Sequence, residues 1–209
     1  MIRILIADDH IIVRRGLRQI LLEGFPNALI EEVPDAEAMI KKIMAHEWDV
    51  VISDLSMPGR SGLDALQQIK QFYPKLPVLI LSIHPEEQYA LRVLKAGASG
   101  YLSKDLAPDE LVNAVNRVLL GKKYITATIA EKLASVLDQD SEKQPHESLS
   151  DREFTVLKLL AAGKSVSEIA ESMFLSVTTV STYRARIMAK MNRKSNADLT
   201  LYAIEHGLL

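Results

Sequence analysis

Five short runs of aliphatic and β-branched residues dominate the first half of the chain: "IRILIA" (2–7), "LIEEV" (29–33), "DVVIS" (49–53), "PVLILS" (77–82) and "SGYLS" (99–103). Each is followed by a longer stretch with apolar residues at helical spacing, at 11–23, 36–46, 62–72, 86–96 and 108–120. Parallel strands cannot be joined by tight turns, so strict strand–helix alternation predicts crossover helices. The continuously apolar runs predict strands buried on both faces. The expected fold is therefore α/β, a (βα)5 doubly wound parallel sheet.

In such a sheet, ligands bind beyond the carboxyl ends of the strands. Those ends carry Asp8 and Asp9 after the first run, Asp54 after the third, Ser82 after the fourth and Lys104 after the fifth. Three carboxylates at one rim repel one another, and a hard divalent cation such as Mg²⁺, which prefers oxygen ligands, relieves that repulsion. Lys104 supplies further positive charge. A carboxylate so placed is a nucleophile for phosphorus, and neutralising the transferred group is most of what phosphoryl transfer asks of a protein. Ser82 stands where a hydroxyl can hydrogen-bond the new phosphoryl oxygens.

From Lys122 the pattern changes. "YITATIAEKLASVL" (124–137) suits one more amphipathic helix, and "DQDSEKQPHES" (138–148) reads as a linker. The last 60 or so residues read as four short helices. Ser150 with Glu153 and Ser165 with Glu168 form capping boxes, Leu149 and Phe154 suit a hydrophobic staple, and Ser176 and Ser195 cap the remaining two. A short helix, a turn and a longer helix over 166–191 match a helix-turn-helix. The expected organisation is 1–122, a linker with a possible helix at 123–147, and an all-α four-helix domain at 148–209.

The net charge of −2 is uninformative until divided. Residues 148–209 carry 8 basic and 6 acidic side chains, and between Ser176 and Asn196 stand Arg184, Arg186, Lys190, Arg193 and Lys194 with no acid. Such a cluster suits a polyanion. The absence of cysteine excludes disulfides and thiolate chemistry. Neither a secretory signal nor an apolar run of membrane-spanning length is evident, so a cytoplasmic protein without a membrane partner is expected. The five histidines are scattered and no metal role is expected of them.

The order "DD" (8–9), "DLSMPG" (54–59), Ser82 and "GYLSK" (100–104) resembles the receiver domain of two-component response regulators. The block "LSDREFTVLKLLAAGKSVSEIAESMFLSVTTVSTYRARIMAKM" resembles the LuxR-type helix-turn-helix, and the combination is that of the NarL/FixJ subfamily. The resemblance covers all but the linker. It implies that Asp54 is the phosphoacceptor, and that Asp9, Asp54 and the Ser56 carbonyl bind Mg²⁺ directly with Asp8 acting through water. It further implies that Lys104 pairs with the phosphoryl group and that Ser82 and Tyr101 are a switch pair. A sensor histidine kinase and promoter DNA are the implied partners, with homodimerisation on phosphorylation and RNA polymerase as a further candidate. Turnover of a small substrate is not implied; transfer and dephosphorylation are self-catalysed. One departure is Asp105, where many receivers have proline after the lysine.

On the third C-terminal helix, Val180, Ile187 and Met191 share one face with Val177 beside them, and are expected in the core. The opposite face turns Ser181, Thr182 and Ala185 toward base edges in the major groove, while Ser176, Thr178, Thr179 and Arg186 hold phosphates. The family often has lysines at positions 178 and 181, so modest affinity and reliance on dimerisation are expected.

Two other readings compete. A haloacid-dehalogenase-like phosphohydrolase needs a second acid two residues after its nucleophile, and that position is Ser56. A phosphorylation-independent dimeric transcription factor with a structural receiver is the alternative, but degenerate receivers lose an acid or the lysine and this chain keeps all of them.

Overall fold

The structure, a computed structural model, describes residues 1–138 and 144–209. Residues 139–143 of the expected linker lie outside the described residues. The chain divides into two compact units, Met1–Gln139 and Asp140–Leu209.

The first unit alternates β1 (Arg3–Ala7), α1 (Ile11–Gly24), β2 (Leu29–Val33), α2 (Ala36–Ala45), β3 (Val50–Asp54), α3 (Gly62–Phe72), β4 (Val78–Ser82), α4 (Glu86–Lys95), β5 (Gly100–Ser103) and α5 (Ala107–Leu119). All strands are parallel, in the order β2-β1-β3-β4-β5. Alternation along each strand sends Ile4, Ile6, Val50, Ile52, Leu79 and Leu81 to one face, where Leu17 and Leu21 of α1 and Leu111 and Val115 of α5 bury them. The remaining helices cover the other face with Met39, Ile43, Leu66, Ile69 and Val93, all under 4% exposed. A (βα)5 doubly wound sheet is thus what the alternation of periodicities produces.

The possible helix after position 123 forms as α6 (Ala127–Asp138), within the first unit. Tyr124 bridges to Gly100 at the sheet edge, its N–H donating to the Ser99 carbonyl at 2.9 Å. Thr126 starts the helix, accepting from the Ile129 N–H and donating to Glu86 on α4 at 3.0 Å.

The second unit holds α7 (Asp151–Ala161), α8 (Val166–Ser172), α9 (Val177–Met191) and α10 (Asn196–Glu205). Both expected capping boxes close, and Ser195 with Asp198 adds a third. Leu149 and Phe154 are buried beside the first box, as a staple requires. Glu153 also meets Lys190 of α9 at 2.6 Å, tying the start of α7 to the end of α9. Val180, Ile187 and Met191 are buried as their spacing predicts. Val177 is not: it is 51% exposed. It sits at the first helical position, where no preceding turn brings the domain's core alongside, so the wheel angle misplaces it.

Candidate functional site: an acidic pocket and a basic helix

The strand order reverses between β1 and β3, one of which leads out toward β2 and the other toward β4 and β5. This is the switch point at which the connecting helices diverge and leave a crevice. Asp8 and Asp9 follow β1 and Asp54 closes β3, so the crevice is lined with acid from both sides.

Asp8 and Asp54 are each held by a backbone N–H. The Asp8 carboxylate accepts from the His10 N–H at 2.8 Å, and its carbonyl accepts from Arg14 at 2.6 Å. The Ser56 N–H donates to the Asp54 carboxylate. Gly62 fixes the loop behind Asp54: its N–H donates to the Leu55 carbonyl at 2.9 Å, and a Cβ there would overlap the Asp54 carbonyl oxygen. Only a residue without a side chain lets α3 start this close to the end of β3. Sequence reading missed Gly62, because a glycine at a helix start has many ordinary uses.

Lys104 reaches from the end of β5 and places its ammonium 2.6 Å from Asp8 Oδ2 and 3.0 Å from Asp54 Oδ2. The Lys104–Asp105 bond is trans, and the Ser103 hydroxyl accepts from the Asp105 N–H to begin a short 3₁₀ turn over Lys104–Leu106. Burial pushes the Asp54 carboxyl up from its ordinary value, against the pull of Lys104, and the Asp8 charge adds to the rise. Burial pulls the Lys104 ammonium down, but the bond to Asp8 and the charge of Asp54 outweigh it and leave the group raised.

One ligand atom from each of Asp8, Asp9, His10 and Asp54 lies within 4.8 Å of the others. Asp8 Oδ2 meets the Lys104 ammonium and Asp9 Oδ1 the His10 ring at 2.9 Å, yet neither shielded oxygen makes a well-aligned hydrogen bond. Hard oxygen donors with spare acceptor capacity fit Mg²⁺. His10, of which no metal role was expected, lies at the pocket mouth beside the acid pair, its side chain 67% exposed.

Ser82 is fully buried at the end of β4, accepting from the His84 N–H at 3.0 Å. Tyr101 is fully buried as well, and its hydroxyl donates to the His84 carbonyl at 2.7 Å. Burial pushes that phenol up to about 12. The His84 ring stacks on Tyr89 with centroids 4.8 Å apart, and its Nε2 lies 2.9 Å from the Ser56 hydroxyl. His84 thus joins the loop after Asp54 to the loop after Ser82, a link invisible in sequence because it spans 28 positions.

In the second unit, Ser176 caps α9, accepting from the Thr179 N–H at 3.0 Å. Ser176, Thr178, Ser181, Thr182, Ala185 and Arg186 are exposed and Thr179 half-buried. Thr182 spends its hydroxyl proton on the Thr178 carbonyl at 3.0 Å, leaving its oxygen as an acceptor. Arg184, by contrast, is turned to Asn196 at 2.8 Å and reinforces the domain.

Comparison with known proteins agrees with both regions. The family profile "Response regulator receiver domain" matches residues 4–116, and "Bacterial regulatory proteins, luxR family" matches residues 147–203. The response regulator UvrY of Escherichia coli O6:H1 is 38% identical over 209 residues, covering 100% of this chain and 96% of its own. The oxygen regulatory protein NreC of Staphylococcus carnosus is 38% identical over 214 residues, covering 99% of each. RcsB of Salmonella enterica serovar Typhimurium, bound to the rprA promoter with a phosphomimetic, superposes with a TM-score of 0.63 at 29% identity, covering 97% of this chain and 98% of that one.

Proposed function

The chain belongs to the two-component response regulators that carry a LuxR-type DNA-binding domain, and from that premise we propose that Asp54 accepts the phosphoryl group which controls DNA binding. The observation that carries this reading is the Lys104 ammonium bridging Asp8 and Asp54 at the sheet's switch point. It is a counter-ion already in place for charge that arrives with a phosphoryl group. The intact set of acids and lysine favours it over a phosphorylation-independent transcription factor.

In the proposed step an Asp54 carboxylate oxygen forms the new O–P bond while the N–P bond of a phosphohistidine on a sensor histidine kinase breaks. Asp9, Asp54 and the Ser56 carbonyl would hold Mg²⁺, with Asp8 acting through water. When bound, that ion offsets negative charge on the transferring oxygens. Lys104 keeps its contact with Asp8 and donates to the phosphoryl group. The Ser82 hydroxyl, on the same rim, donates to another phosphoryl oxygen. Tyr101, tied to the carbonyl of the loop that follows Ser82, registers that loop's position; these two are the proposed switch pair. Dephosphorylation is a separate step on the same residues: a water oxygen forms a bond to phosphorus as the Asp54 O–P bond breaks, releasing inorganic phosphate and the free carboxylate, so it is self-catalysed and no small substrate is turned over.

Ser181, Thr182 and Ala185 face base edges, and Ser176, Thr178, Thr179 and Arg186 hold phosphates on promoter DNA, with homodimerisation supplying the affinity these short side chains lack. Among the described residues no helix is long and apolar enough to cross a membrane. A cytoplasmic location, and RNA polymerase as a partner at the promoter, complete the reading. Residues 1–122, 123–147 and 148–209 are its receiver, connector and DNA-binding parts.

The test is intact mass after incubation with Mg²⁺ and a small phosphodonor, beside Asp54→Asn. The expected result is one phosphoryl adduct on the wild type alone, with a shift to dimer and tighter duplex binding. An equal adduct on Asp54→Asn, or none on the wild type with any donor, overturns it.

A further inference from the structure

Among the described residues two non-glycine positions adopt positive φ, Asn192 at 51° and Phe174 at 55°. Asn192 is the C-cap of α9, a place and a residue type that suit the left-handed conformation. Phe174 shares the place, directly after the Met173 C-cap of α8, but not the residue type. It lies in the turn between α8 and α9, where its Cβ crowds the backbone and where glycine or asparagine would be favoured. The turn is pinned to α8: the Met173, Phe174 and Leu175 N–H groups donate to the carbonyls of Ile169, Glu171 and Ala170 at 3.0, 3.2 and 2.8 Å.

Burial does not compensate for that strain, since Phe174 is 73% exposed. Three residues on, across the Ser176 cap, Val177 is 51% exposed although its spacing suggests core. Two apolar side chains are thus presented at the entrance to the helix whose exposed face carries Thr178, Ser181 and Thr182. Those closing bonds would form as well around glycine, so a phenylalanine kept there and left exposed points to a function outside the domain.

The surroundings select the occupant. From Ser176 to Asn196 the chain carries five cations and no acid, which suits a polyanion better than an apolar protein surface. DNA offers apolar surface next to its phosphates in the C–H faces of deoxyribose. We infer that Phe174 and Val177 lie against the deoxyribose rim of the groove that α9 enters, as the non-ionic part of the DNA interface. The inference rests on the DNA-binding reading of α9. Such a contact releases no counterions, so it adds affinity that salt does not remove. It also supplies binding that the serine, threonine and alanine of the reading face do not.

The experiment uses the full chain, treated with Mg²⁺ and acetyl phosphate, and a duplex selected from a random pool by the wild type. Dissociation constants are measured over a series of KCl concentrations for wild type, Phe174→Gly, Val177→Ala and Arg186→Ala, with thermal unfolding of each. Phe174→Gly is expected to unfold at the same or a higher temperature, because glycine suits φ 55°. It should nonetheless bind the duplex about tenfold more weakly with an unchanged salt slope, the magnitude a well-made apolar contact supplies. Val177→Ala should lose a few-fold in the same manner. Arg186→Ala should instead flatten the slope by about one. Phe174→Gly binding as tightly as the wild type overturns the contact, and so does a loss that disappears at high salt. A wild type that selects no duplex sinks the DNA-binding reading itself.

Discussion

The acidic pocket and the reading face of α9 are opposite solutions to presenting polar groups. In the pocket, Asp8, Asp54 and Ser82 are each under 5% exposed, and every one sits at or just past a strand end. The two carboxylates share Lys104 as a counter-ion, and all three positions are set by backbone. On α9 the side chains proposed to meet DNA are exposed apart from half-buried Thr179, uncharged apart from Arg186, and positioned by one cap. Chemistry on a carboxylate needs low dielectric and fixed neighbours, whereas recognition needs reach and access. The difference also predicts where each region breaks: the pocket through its backbone, the reading face through its cap and its charge.

The largest effect is expected at a residue with no side chain. Gly62→Ala forces a methyl group into the Asp54 carbonyl, so α3 and the end of β3 must separate. Overpacking of this kind costs about 3 kcal/mol. Urea unfolding of the first unit, followed through Trp48 fluorescence, measures it, and phosphoryl uptake should fall in parallel. Full uptake in a stable Gly62→Ala protein would show that the pocket does not depend on this contact.

Next comes Glu153→Gln in the second unit. Glu153 is 2% exposed and meets Lys190 at 2.6 Å, so losing its charge should cost about 1.5 kcal/mol, less than a fully buried pair because Lys190 is 40% exposed. Burial pushes this carboxyl up, but Lys190 and the Ser150 N–H prevail and hold it below its ordinary value of 4.5. A depressed carboxyl contributes stability above its unfolded value and loses it as pH falls through the folded one. The gap between wild type and variant, read by amide exchange in α7, should therefore be full at neutral pH and close as pH falls below 4.5 and through the lower folded value.

Ser176 separates structural from recognition roles on the reading face. Ser176→Ala removes the cap and should cost about 1 kcal/mol by thermal unfolding. Ser176→Asp restores the cap, so stability should return, while its charge opposes DNA phosphate and lowers affinity further. Recovery of both would make Ser176 a cap and nothing more.

The smallest effect in stability is Arg186→Ala. Its side chain is exposed, so unfolding should shift by no more than about 0.5 kcal/mol. Affinity should fall about equally for all duplexes. A sequence-dependent loss would move Arg186 from phosphate to base contact.

The sheet was legible in sequence because parallel strands buried on both faces leave continuous apolar runs, and their ends carry the pocket. Asp8, Asp54, Ser82 and Lys104 could be placed from strand ends alone. The capping boxes were legible for a similar reason, since both partners lie within one turn. What escaped was set by tertiary contact. Gly62 matters through the carbonyl of Asp54, and the Ser56–His84 link crosses 28 positions. His10 looked scattered because its approach to Asp9 is a matter of rotamer rather than spacing. Val177 looked like core because a helical wheel has no ends. The helix after position 123 had the right pattern, but its attachment to α4 through Thr126 and Glu86 spans 40 positions.

The strand order also has a consequence for synthesis. β1 leaves the ribosome ahead of both its partners and ends between β2 and β3, and its pairing with Val50–Asp54 must await about fifty further residues. Until then its inner edge is an open template, and the nascent chain is most exposed to mispairing. The helices that follow residue 148 carry their start signals within one turn and need no such wait. The second unit is thus equipped to fold quickly, while the first, synthesised ahead of it, sets the pace.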